Sequence, residues 1–391
     1  MSAAHEDVDL LVIGSGAAGV SAVAAFCEHG GGTALVVSED VDRPYQRPPL
    51  SKEHLRGESD DDALWMARPE SVAFRHDQRV VGLDARGRTA LLAGGGTVGF
   101  ATCVLATGSA PLPLPVPGGD LPGLLSLRSL ADERRLRSAA ARAGSAVVVG
   151  SGFIGCEAAW SLRALGLDVT VVSTEEQPQQ ERLGDGAAGH IAGWLGDQGV
   201  ALRGGMSVDA LEARGEGFAV RLGGPDELEA DMVLVAAGVR PRVALAEAAG
   251  LTMRTGRVVV DEQMRTSAPH VFAAGDIAWA HNPTAGRRLS VEHWGEGISM
   301  GEVAGACAAG GDASWTDVPG FWSDIGDHTL KYAAWGDGFD SAHLVEHDDG
   351  AFTVWYGRDR VTVGVLTHDE DDDYERGSQL VASAAPLPHP S

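Results

Sequence analysis

Gly14-Ser15-Gly16-Ala17-Ala18-Gly19 follows an apolar run, Leu10-Leu11-Val12-Ile13, and opens a stretch of helical character. The pattern recurs 136 residues later as Gly150-Ser151-Gly152-Phe153-Ile154-Gly155, after Ala146-Val147-Val148-Val149 and with Glu157 two residues on. Strand, glycine turn and helix in this order form the setting of a Rossmann turn. One glycine makes the tight turn, one admits the pyrophosphate, and one lets helix and sheet approach. The helix N-terminus then offers unpaired N–H groups to the phosphates. A lone fingerprint is a weak signal. Two, each in context, predict a protein that holds two dinucleotides, for which hydride transfer between a nicotinamide and a flavin is the natural chemistry.

The rest of the chain bounds that reading. Its 391 residues are 44% apolar and 22% charged, enough for two or three domains with substantial cores. No apolar run is long enough for a membrane span, and the N-terminal residues lack a basic, cleavable leader, so a cytoplasmic protein is expected. A net charge of −25 argues against nucleic acid and anionic membranes as partners. Cys27, Cys103, Cys156 and Cys307 are scattered without CxxC spacing, which predicts buried thiols rather than a redox disulfide or a protein-bound iron–sulfur cluster. His368-Asp369-Glu370-Asp371-Asp372-Asp373 lacks the Gly and distal Glu of a calcium loop, so it reads as a solvated acidic face, and no metal is expected.

The expected architecture is α/β. Two Rossmann-like dinucleotide-binding domains, glutathione-reductase-like, precede a small C-terminal α+β domain. The boundaries read as 1–112 with 242–315, then 113–241, then 316–391. The prolines of Pro111–Pro117 mark the first crossing as a stiff linker. The first βαβ half ends in Ser38-Glu39, an acid suited to ribose hydroxyls. The second ends in Ser173-Thr174-Glu175-Glu176 with no Arg before Arg182, so a 2′-phosphate lacks an obvious partner, Glu175 can serve a ribose, and NADH is expected ahead of NADPH.

Between these units, Pro44-Tyr45-Gln46-Arg47-Pro48-Pro49-Leu50-Ser51-Lys52 is the most specific stretch. With Ala106-Thr107-Gly108, Leu127-Arg128-Ser129-Leu130-Ala131-Asp132, Gly238-Val239-Arg240-Pro241, Phe272-Ala273-Ala274-Gly275-Asp276, Val291-Glu292-His293-Trp294 and Phe321-Trp322-Ser323-Asp324, it resembles the FAD-dependent, NAD(P)H-linked ferredoxin and rubredoxin reductases. These are the oxygenase-coupled flavoproteins of the putidaredoxin-reductase type. Relatives that work through a cysteine carry it near the Lys52 loop, and here there is none.

The resemblance implies an FAD site at Gly14, Gly16, Ala17, Ala18, Gly19, Glu39, Arg47, Lys52, Val80, Ala106, Thr107, Gly108, Arg128, Gly275, Asp276, Glu292, His293 and Trp294. It implies an NAD site at Gly150, Gly152, Phe153, Ile154, Gly155, Glu157, Glu175 and Gly238. Lys52 and Glu157 pair as the catalytic residues, because a fixed ammonium favours a flavin that gains negative charge. The implied function is reduction of FAD by NADH and single-electron delivery to a [2Fe–2S] ferredoxin that serves an oxygenase or a cytochrome P450. Two alternatives stay open: an NAD(P)H oxidase or diaphorase whose acceptor is oxygen, a quinone or another protein, and a nucleotide-sensing flavoprotein. The lysines are only two, Lys52 and Lys331. The seven cations between Arg43 and Arg79 are the expected basic face for an acidic ferredoxin. From Glu346 to Arg376 ten acids meet three bases, unlike the basic helix that such reductases often carry there.

Overall fold

The computed structural model describes residues 5–388. The chain packs as two compact units. The first comprises 1–46, 64–110 and 241–321, and the second 47–63, 111–240 and 322–391. The three-part division expected from the sequence therefore differs from the packing in two places: 47–63 and 322–391 both cluster with the second unit. The causes are local. Ser51 and Ser323 both donate to Glu157, and the Tyr356 hydroxyl donates to Leu183 O at 2.8 Å. The proline stretch also does more than span: Leu114 and Val116 pack against the apolar cluster of Val149, Leu211 and Phe218.

In the first unit, His5–Ile13 is the central strand of a parallel sheet, flanked by Ala34–Val37 and Thr97–Leu105, with Ala73–Arg75 and Val271–Ala273 outside them. Leu10–Ile13 and Ala34–Val37 are continuous buried apolar runs because both faces are covered there, whereas the start of the central strand, His5–Asp9, is polar and largely exposed. Ile13 is in register with Val37 and with Leu105, and Leu105 with Ala273. The strands thus end together, and the segments just past them share one edge, where open α/β sheets bind ligands. An antiparallel hairpin, Val80–Asp84 with Thr89–Leu92, extends the sheet. The helix Ala17–Glu28 lies against Trp294–Ala308. A Cβ on Gly301 would stand 2.3 Å from Ala18 O, and one on Gly305 2.0 Å from Ala22 O, so only glycine permits this backbone contact.

The second unit repeats the plan: a parallel sheet in the order Ala201–Arg203, Asp168–Val172, Ser145–Val149, Met232–Val235, again with strand ends aligned at Val149, Val172 and Val235. A three-stranded antiparallel sheet spans Val208–Ala230. The C-terminal part is a five-stranded antiparallel sheet backed by the helix Asp371–Ala382. The acidic run seeds that helix: Asp371, Asp372 and Asp373 occupy its first turn, where the helix dipole favours anions, and Asp371 meets Lys331 at 2.5 Å. Among the described residues no His/Cys/Asp/Glu group could hold a metal ion, and no helix is long and apolar enough to cross a membrane.

Candidate functional site

The first glycine turn is fixed by two backbone bonds: Gly14 N donates to Val37 O at 2.8 Å and Ala106 N to Ile13 O at 2.9 Å. Gly14 has φ +113°, and a Cβ there would stand 2.1 Å from Ala106 O. Gly16 differs: a Cβ there meets no atom within 4 Å, so the space beside it is open. Gly16 is the N-cap of Ala17–Glu28, with no capping side chain and no acid in the first turn. A bare helix N-terminus behind an open glycine is what a pyrophosphate needs.

The second turn reproduces this atom for atom. Gly150 N donates to Val172 O at 2.8 Å and Ala236 N to Val149 O at 2.8 Å. Gly150 has φ +109° and faces Ala236 O, while Gly152 is open apart from Gln179 Nε2 at 3.7 Å from a hypothetical Cβ. The repeat extends to a pair of serines. Ser15 Oγ meets Ser38 Oγ at 2.8 Å, and Ser151 Oγ meets Ser173 Oγ at 2.6 Å. Each second serine then accepts from the N–H two residues on, Asp40 in one unit and Glu175 in the other, both at 3.1 Å.

That correspondence places Glu39 opposite Thr174, and Glu175 opposite Asp40. Glu39 follows Ser38 at the strand end, partly exposed and paired with Arg242 and, at 3.5 Å, Arg79. Glu175 turns away instead: its Oε2 accepts from Glu181 N at 3.3 Å, in the first turn of Gln180–Asp197. Gln179, which sequence reasoning missed, is buried and donates to Ser151 O at 3.2 Å, beside the second turn.

Around the first sheet edge, Thr107 Oγ1 donates to Arg242 O at 2.7 Å, and Gly108 has φ +61°. Gly275 and Asp276 form a short 3-10 turn after Val271–Ala273, and Asp276 O accepts from Arg257 Nε at 3.1 Å. Arg257 also pairs with Glu292. His293 caps the helix that begins at Trp294, its ring edge-on to Phe321 at 4.8 Å. Both rings are half-buried, and so is Val80, which opens the hairpin. Arg47 and Arg128 meet in the second unit: the Arg47 guanidinium donates to Arg128 O at 2.5 Å. The Ser129–Asp132 stretch of the family motif is a reciprocal capping box on Leu130–Ala140, a feature worth about 1 kcal/mol.

In the second unit, Lys52 and Glu157 come together as expected, and with more partners. Lys52 Nζ lies 3.6 Å from Glu157 Oε1 and 3.1 Å from Asp324 Oδ2. Glu157 also accepts from Ser51 Oγ at 2.5 Å and Ser323 Oγ at 2.6 Å. Lys52 and Glu157 are both buried. Burial pushes the Glu157 carboxyl upward, against the pull of Lys52 and the two hydroxyls. An unpaired buried ammonium would cost several kcal/mol, which two carboxylates offset. Asp324, Ser51 and Ser323 were absent from the sequence-based site, although all three lie in stretches that carry the family resemblance.

The expected basic face is largely consumed. Arg43 lies over Trp65, Arg47 holds Arg128 O, Arg56 pairs with Glu58, Arg68 lies over Phe74, Arg75 pairs with Glu6 and Arg79 with Glu39. Local pairing in a chain of −25 charge accounts for the three ion pairs, while Arg43, Arg47 and Arg68 keep their charge against a ring or a carbonyl.

Two glycine turns that open uncapped helix N-termini and a buried lysine are the setting expected of pyridine-nucleotide redox chemistry. The chain belongs to the pyridine nucleotide-disulphide oxidoreductase family. The family pattern matches residues 8–301. The chain is 32% identical to rhodocoxin reductase of Rhodococcus erythropolis over 97% of its own length and 91% of that protein's. It is 30% identical to rubredoxin-NAD(+) reductase of Pseudomonas putida, covering 82% and 85%. Its fold matches putidaredoxin reductase, solved as a covalent complex with putidaredoxin, at a TM-score of 0.90 and 26% identity, over 97% and 94% of the chains. The disulphide of the family name has no counterpart among the described residues: all four cysteines are free, and burial drives the Cys103 and Cys156 thiols far above their ordinary value, which keeps them protonated and inert.

Proposed function

We propose that the protein is an NADH-dependent flavoprotein reductase that passes electrons to a small iron–sulfur protein of the ferredoxin type. The first unit binds FAD and the second binds NADH. The observation that carries this is the duplicated glycine turn combined with a buried lysine and with no disulphide among the described residues.

In the first unit Gly14, Gly16, Ala17, Ala18 and Gly19 hold the pyrophosphate, and Glu39 takes the adenosine ribose. Val80, Ala106, Thr107, Gly108, Gly275 and Asp276 line the sheet edge, and Glu292, His293 and Trp294 lead into the second helix at that edge. In the second unit Gly150, Gly152, Phe153, Ile154 and Gly155 hold the nicotinamide dinucleotide, with Gly238 past the neighbouring strand. When bound, FAD accepts two electrons with a hydride and gives them up singly, the conversion that a one-electron iron–sulfur carrier requires. Lys52 supplies the fixed positive charge that favours this reduction. Asp324 and Glu157 pair with Lys52 and hold its ammonium in place, and Ser51 and Ser323 hold Glu157. Arg47 and Arg128 steady the loop that leads to Lys52. Relatives named as reductases of rhodocoxin and rubredoxin support an electron-carrier protein as the acceptor.

Steady-state turnover of the FAD-loaded protein with NADH tests this reading, with oxygen, a [2Fe–2S] ferredoxin and a dye compared as acceptors. The ferredoxin should support turnover well above the oxygen background. Fast oxygen turnover with no ferredoxin response would make the protein an oxidase, and flavin reduction slower than minutes would make it a nucleotide sensor.

A further inference from the structure

The segment that carries Lys52 cannot hold its own shape. Pro48–Ser51 is a single 3-10 turn and Glu53–Arg56 a single helical turn, each too short to be stable alone. Its anchors are therefore tertiary. On one side Ser161 Oγ donates to Ser51 O at 2.7 Å. On the other side His54 is fully buried between two carboxylates: Glu133 Oε1 is 3.3 Å from Nδ1, and Asp61 Oδ1 is 3.1 Å from Nε2. Glu133 is fully buried too, and neither of its oxygens makes a well-directed hydrogen bond. Asp61 is half-exposed and meets Arg134 at 2.5 Å.

We propose that His54 is a positioning residue for Lys52: held between Glu133 and Asp61, with a proton shared between the ring and Glu133, it ties the one-turn helix after Lys52 to the helix Leu130–Ala140, and loss of that shared proton loosens the tie. This rests on the assignment of Lys52 to flavin reduction.

Two carboxylates are two acceptors, and a neutral imidazole has one N–H. Both contacts are favourable only while the ring holds two protons, or while Glu133 holds one of them. The charged groups that face this pair are Glu133, Arg134 and Arg137 on Leu130–Ala140 and Asp61 on Asp61–Leu64; Arg56, on the His54 helix itself, is turned to Glu58 and to Ser161 of Phe153–Ala164. Burial pushes the Glu133 carboxyl upward, so the pair retains a proton that exposed groups would release. Once the ring is neutral, one carboxylate faces a lone pair. Asp61 can turn to water and Arg134, so its contact is the one that opens.

The two lysines make the test direct. Trace acetylation of the FAD-loaded protein with acetic anhydride, read by peptide mass spectrometry, gives the Lys52 reactivity, with Lys331 as the internal reference. In the wild type the Lys52/Lys331 ratio should be low near pH 6 and rise severalfold, up to about tenfold, toward pH 9 as the segment opens locally. Glu133→Gln should hold the ratio low and flat, because the amide can donate to Nδ1 while Nε2–H still serves Asp61. Glu133→Ala should raise it at every pH, and His54→Gln is the second variant should that protein not fold. Rapid-reaction measurement at saturating NADH should show the flavin reduction rate falling over the same pH range in the wild type and not in Glu133→Gln. A flat wild-type ratio, or a Glu133→Gln protein as reactive as Glu133→Ala, overturns the inference. Absence of flavin reduction by NADH overturns the proposed activity instead, and the acetylation ratios still decide the role of His54.

Discussion

The ammonium of Lys52 lies closer to Asp324, at 3.1 Å, than to Glu157, at 3.6 Å. Two carboxylates of different character therefore pair with it. Asp324 is partly exposed and free of hydroxyl donors to its Lys52-facing oxygen, whereas Glu157 is buried and shared with Ser51 and Ser323. Removing Lys52 and removing Asp324 should have graded effects.

Lys52→Met should keep FAD and lose about 10²–10³ in flavin reduction rate at saturating NADH, the ~2–4 kcal/mol of a fixed charge aimed at a developing anion. Asp324→Asn should lose less, about tenfold, because Glu157 still pairs with the ammonium. The KM for NADH should stay within about twofold in both if the effect lies in the chemical step. Stopped-flow flavin absorbance checks all three, and a Lys52→Met protein reduced at the wild-type rate removes Lys52 from the chemistry.

The two glycines of the first turn should fail differently. Gly14→Ala places a Cβ against Ala106 O in a left-handed backbone and should destabilise the fold by several kcal/mol or prevent folding. Gly16→Val points into open space, so the protein should fold, with at most about 1 kcal/mol lost at the N-cap, yet should purify with little FAD. Thermal melting and flavin content after acid release separate the two. A Gly16→Val protein with full flavin occupancy would mean that the open space is not the phosphate site.

Much of this was readable in the chain because the signals are local. A glycine turn between a strand and a helix is written in about ten consecutive residues, and its duplication showed in the same way. What was not readable depends on contacts far apart in sequence. Asp324 reaches Lys52, and Glu133 reaches His54, only because separate elements fold together, and neither pair has a spacing rule. The basic stretch from Arg43 to Arg79 misled for a related reason: composition counts charges, and Glu6, Glu39 and Glu58 had already taken three of them. Glu175 was read as a ribose acid from its distance past a strand, and the serine repeat shows that Thr174 holds the place that Glu39 holds in the first unit.

Glu296 gives the first unit a pH dependence with a definite sign. It is buried, and burial pushes its carboxyl upward, opposed by Trp315 Nε1 donating at 2.8 Å and Gly320 N at 3.2 Å. The folded state thus binds this proton more tightly than the unfolded chain does. Its contribution to stability is complete below the ordinary carboxylate value and is lost as pH rises through the raised one. Glu296→Gln keeps an acceptor for Trp315 without the proton, so denaturant midpoints should fall less between pH 4.5 and 7 than in the wild type. Equal slopes in the two proteins would show that Glu296 is ionised throughout.

NADH should reduce the flavin faster than NADPH, since Ser173 is engaged with Ser151 and no arginine stands at Thr174. Thr174→Arg should narrow the gap, because it sets a guanidinium where the first unit sets its ribose acid. A Ser173 substitution is a poorer probe, as it breaks the serine pair that shapes the turn. A wild-type preference for NADPH above about tenfold, or ~1.4 kcal/mol, is the result that reverses this assignment.

The acceptor should be met against a net repulsion. The protein carries −25, ferredoxins are usually acidic, and every cation from Arg43 to Arg79 already has an acid, a carbonyl or a ring as partner. The same stretch holds seven acids beside its seven cations, so it offers no net positive charge to outweigh the whole-molecule field. Ferredoxin-dependent turnover should accordingly rise as salt is added up to ~0.1 M, where the Debye length shrinks to about 10 Å and long-range repulsion fades. Arg56→Glu should mainly perturb the local contacts with Glu58 and Ser161, leaving the salt response almost unchanged. NADH-to-dye activity with an uncharged dye is the control, because it should show no such rise. A rate that instead falls steadily from low salt would reveal a basic docking face elsewhere on the protein, and charge reversals that flatten the fall would locate it.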